Sequence, residues 1–215
     1  MRGLASGERS ALVILECQNG MTNPAYASNT GLAAQAAARG IIEAIAVLAA
    51  DCRRVSVPVV HCTFVPRSDF AATRANCLLL GSLRKKAAVY EGRPEAEIHP
   101  LLTPQPDDFV IQRQHGLSAF HGTELEPVLR ALGIQTVILA GVSTNIAIPG
   151  TSLEAVNRGF TVVIPEDCTA GAWREAHEFQ VAHTLPLLAT VTTSEAVRDT
   201  LGVSGDRISS HQAPA

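Results

Sequence analysis

Four runs of aliphatic residues constrain this chain more than any other feature. Ala11–Leu15 (ALVIL), Val57–Val65 (VPVVHCTFV), Thr136–Ala140 (TVILA) and Thr161–Pro165 (TVVIP) show no apolar–polar alternation. A strand with one wet face alternates, so a continuous run predicts a strand buried on both faces. Two further strands are predicted at Phe109–Gln114 and Thr190–Thr193. Helical spacing fills the intervals. In Gly31–Arg54, the residues Ile41, Ile42, Ile45, Leu48, Ala49 and Cys52 share one face, and Ser28, Asn29 and Thr30 are candidate N-caps. Helices are also predicted over Glu124–Leu132 and Ile146–Arg158, closed by Gly133 and Gly159, and over Trp173–Ala189. Strands alternating with helices of this length predict a three-layer α/β/α fold around a six-stranded, mainly parallel sheet. Pro66–Pro106 has no clear period and holds five prolines, which predicts short helices and active-site loops.

The 215 residues suit a single domain, with a core over about residues 10–195 and a flexible tail over 204–215. Hydrophobic residues at 47% and charged residues at 17% exclude a disordered chain or a coiled coil. A net charge of −3 gives no basic surface for nucleic acid. The most apolar stretch, Gly40–Ala50, contains Glu43 and is too short to span a bilayer. The N-terminus is too short and polar for a signal peptide. Five cysteines without a C-x-x-C pair give neither a disulfide framework nor a zinc knuckle. These readings together predict a cytoplasmic protein that engages neither nucleic acid nor membrane.

In open parallel sheets, ligands bind beyond the carboxyl ends of the strands. The residues there are Glu16-Cys17-Gln18-Asn19, His61 to Arg67, Arg113-Gln114-His115-Gly116, Gly141 to Ala147, and Glu166-Asp167-Cys168-Thr169. No G-x-G-x-x-G follows the first strand, which argues against a Rossmann-type nucleotide binder. The segments ALVILECQNGM, QRQHGLSAFHGTEL, LRALGIQTVILAGVSTNIAI and EAVNRGFTVVIPEDCTAG resemble, in combination, the isochorismatase-like or cysteine hydrolase superfamily. The resemblance covers about residues 10–195. It implies a six-stranded parallel sheet, a homodimer or higher homo-oligomer, and hydrolysis of a small amide or of the vinyl ether in isochorismate. It also implies a non-proline cis peptide at Val142–Ser143, with Val142, Ser143, Thr144 and Asn145 at the substrate.

The cysteine enzymes of that superfamily use an Asp at the end of strand one, a Lys at the end of strand three and a Cys in the first turn after strand four. A helix N-terminus and a cationic neighbour favour the thiolate there. This sequence departs at all three places, with Glu16, either Arg113 or Gln114, and Ala147. Alanine supplies no nucleophile. Cys17 follows Glu16, but strand alternation points it to the other side. Glu16 then becomes the candidate acid/base, because a carboxyl against an apolar wall can donate a proton. Its extra methylene moves the tip by about 1 Å, a misplacement that can cost about a hundredfold, and the volume freed at Ala147 could accommodate it.

Each residue also has a plainer reading. Glu16 could be a structural carboxylate paired with Arg113. Arg113 could anchor a substrate carboxylate or form only an internal salt bridge. His115 could line the pocket or be a hydrogen-bonded loop histidine. Arg67 and Arg74 could bind an anion or be solvated. His61 lies in a run, HCTFVPRSDF, without the second His that the superfamily's metal-dependent members carry, so no metal or other cofactor is expected. Thr144 and Ser143 show no base nearby in sequence. Two functions stay open: a hydrolase of a small polar or anionic metabolite using Glu16 and water, and a pseudoenzyme kept as a small-molecule-binding or assembly module.

Overall fold

A computed structural model describes residues 1–4, 7–27 and 30–203. The Ser28 and Asn29 capping candidates and the 204–215 tail lie outside the described residues. The aliphatic runs form β1 (Ser10–Leu15), β2 (Val59–Phe64), β4 (Thr136–Val142) and β5 (Thr161–Pro165), with β3 at Phe109–Arg113, a short β6 at Thr169–Ala170 and β7 at Thr190–Thr192. All pairings between them are parallel, in the order β3-β2-β1-β4-β5-β7, with β6 pairing β4 as a seventh strand that the sequence reading lacked. The two central strands, β1 and β4, pair along their whole length, Ser10 opposite Thr136 through Leu15 opposite Gly141.

Each central strand is buried on both sides, as its continuous aliphatic run requires. Leu12 and Ile14 of β1 pack under one helical layer, while Ala11, Val13 and Leu15 pack under the other. The first layer comprises α1 (Asn19–Thr22), α2 (Thr30–Ala38), α3 (Ile41–Arg54) and α8 (Ser194–Thr200); the second holds α5 (Leu125–Ala131) and α6 (Ala147–Asn157). Ile41, Ile45 and Leu48, fully buried, form the apolar stripe of α3.

Two differences from the expected helices have physical causes, and the short helix expected within residues 66–106 is present. The single helix expected over Gly31–Arg54 is two, bent by 62°. Gly40 sits between them in the left-handed region at φ 62°, which ends a helix cheaply only at glycine. Apolar spacing continues through the bend and so conceals it. Residues 66–106 hold α4 (Leu78–Lys86), whose face is too mixed to give a period. The helix expected over Trp173–Ala189 is regular only as α7 (Arg174–Phe179); a wider π turn over Gln180–Thr184 and a 3-10 turn at Leu185–Leu187 follow. Pro186, which has no N–H to donate, stands in that last turn. No single helix among the described residues is long and apolar enough to cross a membrane.

Two buried histidines tie elements together. In β2, His61 Nε2 lies 3.4 Å from Asp108 Oδ2, too long for a full hydrogen bond, and Arg53 of α3 holds both Asp108 oxygens at 3.0 and 2.7 Å. In α7, His177 Nδ1 is 3.1 Å from Thr144 Oγ1, and its Nε2 is 3.6 Å from Glu166, which also takes a 2.6 Å bond from Arg39, the residue after α2. Burial pushes both histidines down from 6.5, helped at His177 by Arg39 and at His61 by Arg53, although Asp108 and Glu166 pull the other way.

Two predictions follow from this packing. Folding lowers the affinity of both imidazoles for protons. Their contribution to stability is therefore complete above about pH 6.5 and is lost as pH falls below it, where each must charge or unfold. Thermal melts should show a falling midpoint as pH drops from 7.5 towards 5 (about the range over which unperturbed His titrates), with a shallower slope in His177→Gln. A slope identical in wild type and variant would contradict this. The second concerns Gly141, at φ 104°, where an added Cβ would stand 2.1 Å from the Leu15 carbonyl oxygen. Gly141→Ala should cost about 3 kcal/mol or more in urea unfolding. Gly159→Ala, at φ 78° with open space around it, should cost only about 1 kcal/mol.

Candidate active site

The chain leaves β1 at Glu16 by an abrupt turn. Glu16 has φ 52°, the left-handed region that costs a non-glycine residue about 1–2 kcal/mol, and its N–H still donates to the Cys62 carbonyl at 2.8 Å. Such outliers concentrate where geometry matters more than stability. The close approach of β4 at Gly141 sets this turn against the strand β4 loop.

Arg113, the last residue of β3, meets Glu16 directly. One guanidinium nitrogen bonds Glu16 Oε1, Nε donates to the Gly116 carbonyl at 3.3 Å, and the plane lies over the Phe64 ring with its carbon 5.3 Å from the centroid. The Arg113 side chain is 5% exposed and that of Glu16 15%. The pair reaches across the end of β2, because Phe64 is the register partner of Arg113. Strand alternation turns Gln114 outward, where it is exposed and only its carbonyl is engaged, by Thr73 Oγ1 at 2.6 Å. Of the two candidates at this position the structure therefore brings Arg113, and not Gln114, to Glu16. Arg113 is thus an internal partner of Glu16 and Gly116.

The strand β4 loop forms the opposite wall. The Val142–Ser143 peptide is cis. Thr144 N–H donates to the Ala170 carbonyl at 2.9 Å, and Asn145 Oδ1 accepts from Ala172 N–H at 3.1 Å, so β6 and the segment after it clamp the loop. The N–H groups of Asn145 and Ala147 find no acceptor among the described residues. Ala147 opens α6, where backbone donors and the helix dipole favour negative charge. Thr151 of α6 accepts from Ala119 N–H at 3.1 Å, which fixes the SAF segment against the helix.

Two adjoining cavities result. The inner one, about 30 Å³, is bounded by Glu16, Phe64, Arg113, Gly116, Ser143 and Ala147, under leucines of α4. The outer, about 120 Å³, shares Glu16, Ser143, Leu79, Leu83 and Ile146 with it and adds Met21, Leu32, Ser82, Lys86, Asn145 and Ala172. A larger cavity of about 600 Å³ lies beside β3 at the sheet edge. Its lining includes neither Glu16 nor the β4 loop, the central strand ends where ligands bind in this kind of fold.

Several expected site residues stand elsewhere. His115 lines neither cavity; its ring packs edge-on against His121 at 5.8 Å, because Gly116 at φ 86° turns the chain away. Val142 is fully buried in the sheet. Thr144 is also fully buried. It does contact a base, His177, which no local spacing could show, but its hydroxyl lies behind the wall and lines neither cavity. Arg67 is an exposed partner of Asp69, and Arg74 is exposed. The cation that the sequence reading missed is Lys86. Leu79, Ser82, Leu83 and Lys86 recur at i, i+3, i+4 and i+7, a stripe concealed by its mixed polarity. The thiols of Cys17, Cys52, Cys62 and Cys168 are buried, which pushes them up, Cys62 to about 12. Among the described residues, no group of three or more His, Cys, Asp or Glu side chains is arranged to hold a metal.

Similarities to known proteins agree with this architecture. An uncharacterized isochorismatase family protein of Escherichia coli O157:H7 is 31% identical over 204 residues, covering 91% of this chain and 98% of that protein. A maleamate amidohydrolase of Pseudomonas putida is 30% identical over 175 residues, 80% of this chain and 77% of that one. The crystal structure of a cysteine hydrolase from Pseudomonas syringae pv. phaseolicola superposes with a TM-score of 0.79 at 23% identity, over 91% of this chain and 93% of that chain. The sequence profile of the isochorismatase domain matches residues 10–196. With that match spanning both central strands, the strained Glu16 turn and the β4 loop, the chain belongs to the isochorismatase family.

Proposed function

We propose that this chain hydrolyses a small polar or anionic metabolite without a cysteine nucleophile, with Glu16 as the proton-handling group and water as the nucleophile. The observation that carries this is the placement of Glu16, a carboxylate held in a left-handed turn at the floor of both cavities and oriented by Arg113. The kinship with an amidohydrolase supports the reaction class. Ala147 stands at the α6 start, where a thiol would sit in the superfamily's cysteine enzymes, and in this reading the attacking atom comes from solvent.

Glu16 meets the Arg113 guanidinium on one side, and Phe64 and the α4 leucines complete the wall around it. Glu16 takes a proton from water as the water oxygen bonds to the substrate carbonyl carbon. The Asn145 and Ala147 N–H groups are available to the oxygen that gains charge. Glu16 then returns the proton to the departing nitrogen as the C–N bond breaks. Arg113 holds the carboxylate in position and Phe64 keeps water from the pair's far side.

One observation favours a second reading, a binding module without turnover: Arg113 is committed to Glu16 and Gly116. A single assay separates the two. Small amides, ureas and isochorismate are screened against wild type and Glu16→Gln. A hydrolase of the proposed kind loses about a hundredfold or more in kcat on Glu16→Gln, with KM little changed. Equal rates discard Glu16 as the catalyst, and no turnover of the panel favours the binding module.

A further inference from the structure

A chain of side chains runs behind the β4 loop and lines neither cavity. It starts at Arg39, the residue after α2, whose Leu32 borders the outer cavity. Arg39 bonds Glu166 Oε2 at 2.6 Å, the Glu166 carbonyl at 3.0 Å and the Thr169 carbonyl of β6 at 2.9 Å. Glu166 in turn stands 3.6 Å from His177 Nε2, and His177 Nδ1 meets Thr144 Oγ1 at 3.1 Å. Thr144 and His177 are both buried. When the imidazole is neutral with its Nε2 proton turned to Glu166, Nδ1 is an acceptor and the Thr144 hydroxyl donates to it. The end of α2 is thereby linked to the loop that carries Ser143, Asn145 and Ile146, which line the outer cavity with Leu32.

Thr144 stands between Ser143 and Asn145, and so next to one of the two N–H groups offered to the oxygen that gains charge. The front of the loop is held by α6, because the Ser143 carbonyl accepts from Ile146 and Ile148 N–H at 3.2 and 3.0 Å. The rear is held by the Thr144 N–H bond to Ala170, the Asn145 bond to Ala172 N–H and the His177 contact. Packing at the rear is close: a Cβ on Gly171 would stand 2.6 Å from Thr144 Oγ1, 3.2 Å from Asn145 Oδ1 and 3.4 Å from His177 Cβ. Donors stabilise a developing charge to the extent that they are already in place when it forms. We propose that His177 is a positioning residue: through Thr144 it fixes the Asn145 and Ala147 N–H groups, and through Glu166 and Arg39 it ties their loop to the end of α2. The inference rests on the hydrolase reading for what those donors do; the clasp itself is a matter of structure.

Full-length variants test it with and without turnover. An asparagine side chain puts a polar atom near the place of Nδ1, whereas glutamine reaches toward the place of Nε2; Thr144→Val keeps the shape and removes the hydroxyl. On an amide that wild type hydrolyses, His177→Gln and Thr144→Val should each lower kcat about tenfold, the size of one hydrogen bond, with KM little changed. His177→Asn should recover most of that loss, and the double variant of Gln and Val should lose little more than either single one. Amide hydrogen exchange followed by NMR needs no substrate. The Thr144 and Ala172 N–H groups should exchange about tenfold faster in His177→Gln and in Thr144→Val, near the wild-type rate in His177→Asn, and faster than wild type in Arg39→Met. Thr144→Val carries the test alone should His177→Gln not fold. Unchanged kcat, a His177→Asn no better than His177→Gln, losses that add, or unchanged exchange in any of the other three variants would each overturn the proposal. Faster exchange in a protein that hydrolyses no amide would uphold the clasp and sink the hydrolase reading.

Discussion

The ion pair between Glu16 and Arg113 organises this molecule. Both partners are largely out of water, at 15% and 5% side-chain exposure. Removing charges from water is costly, and mutual attraction offsets that only when the remaining donors and acceptors are satisfied. Here Gly116 accepts the Arg113 Nε–H and the Phe64 ring covers the guanidinium. The pair joins the central strand β1 to the edge strand β3 across the end of β2. It thus closes the carboxyl edge of three strands at the place where the cavity begins.

The rest of the site is arranged around that closure. Gly141 lets β4 approach Leu15 closely, so the turn at Glu16 and the β4 loop face each other. Thr144 and His177 fasten that loop from behind and Asn145 holds it to Ala172, while Ser143, Ile146 and Ala147 border the inner cavity. Helix α4 lies over the opening. Its Leu79, Leu80 and Leu83 border the inner cavity.

Most of the sheet was legible from the sequence. An uninterrupted aliphatic run admits few interpretations, and β1, β2, β4 and β5 lie where such runs occur. The closing glycines Gly133 and Gly159 placed the ends of α5 and α6 to within one residue or so. Legibility failed where a feature is nonlocal or mixed. Gly40 breaks a helix whose apolar spacing carries on regardless. Spacing alone could not choose between Arg113 and Gln114, because the answer depends on where β3 ends and which way its last side chain points. The His177–Thr144 contact joins residues 33 apart. Lys86 was passed over because its helix carries leucines, a serine and a lysine on one stripe, a pattern that looks like neither core nor surface.

The coupling between Glu16 and Arg113 holds the strand ends together, and a double-mutant cycle by urea unfolding measures it. Glu16→Met and Arg113→Met each leave one buried charge without its partner and should each cost about 3–5 kcal/mol. The double variant removes both charges, and its loss should fall short of the sum of the single losses by about 2 kcal/mol or more. Losses that simply add would show that the two side chains are neighbours without being partners, and would contradict the account.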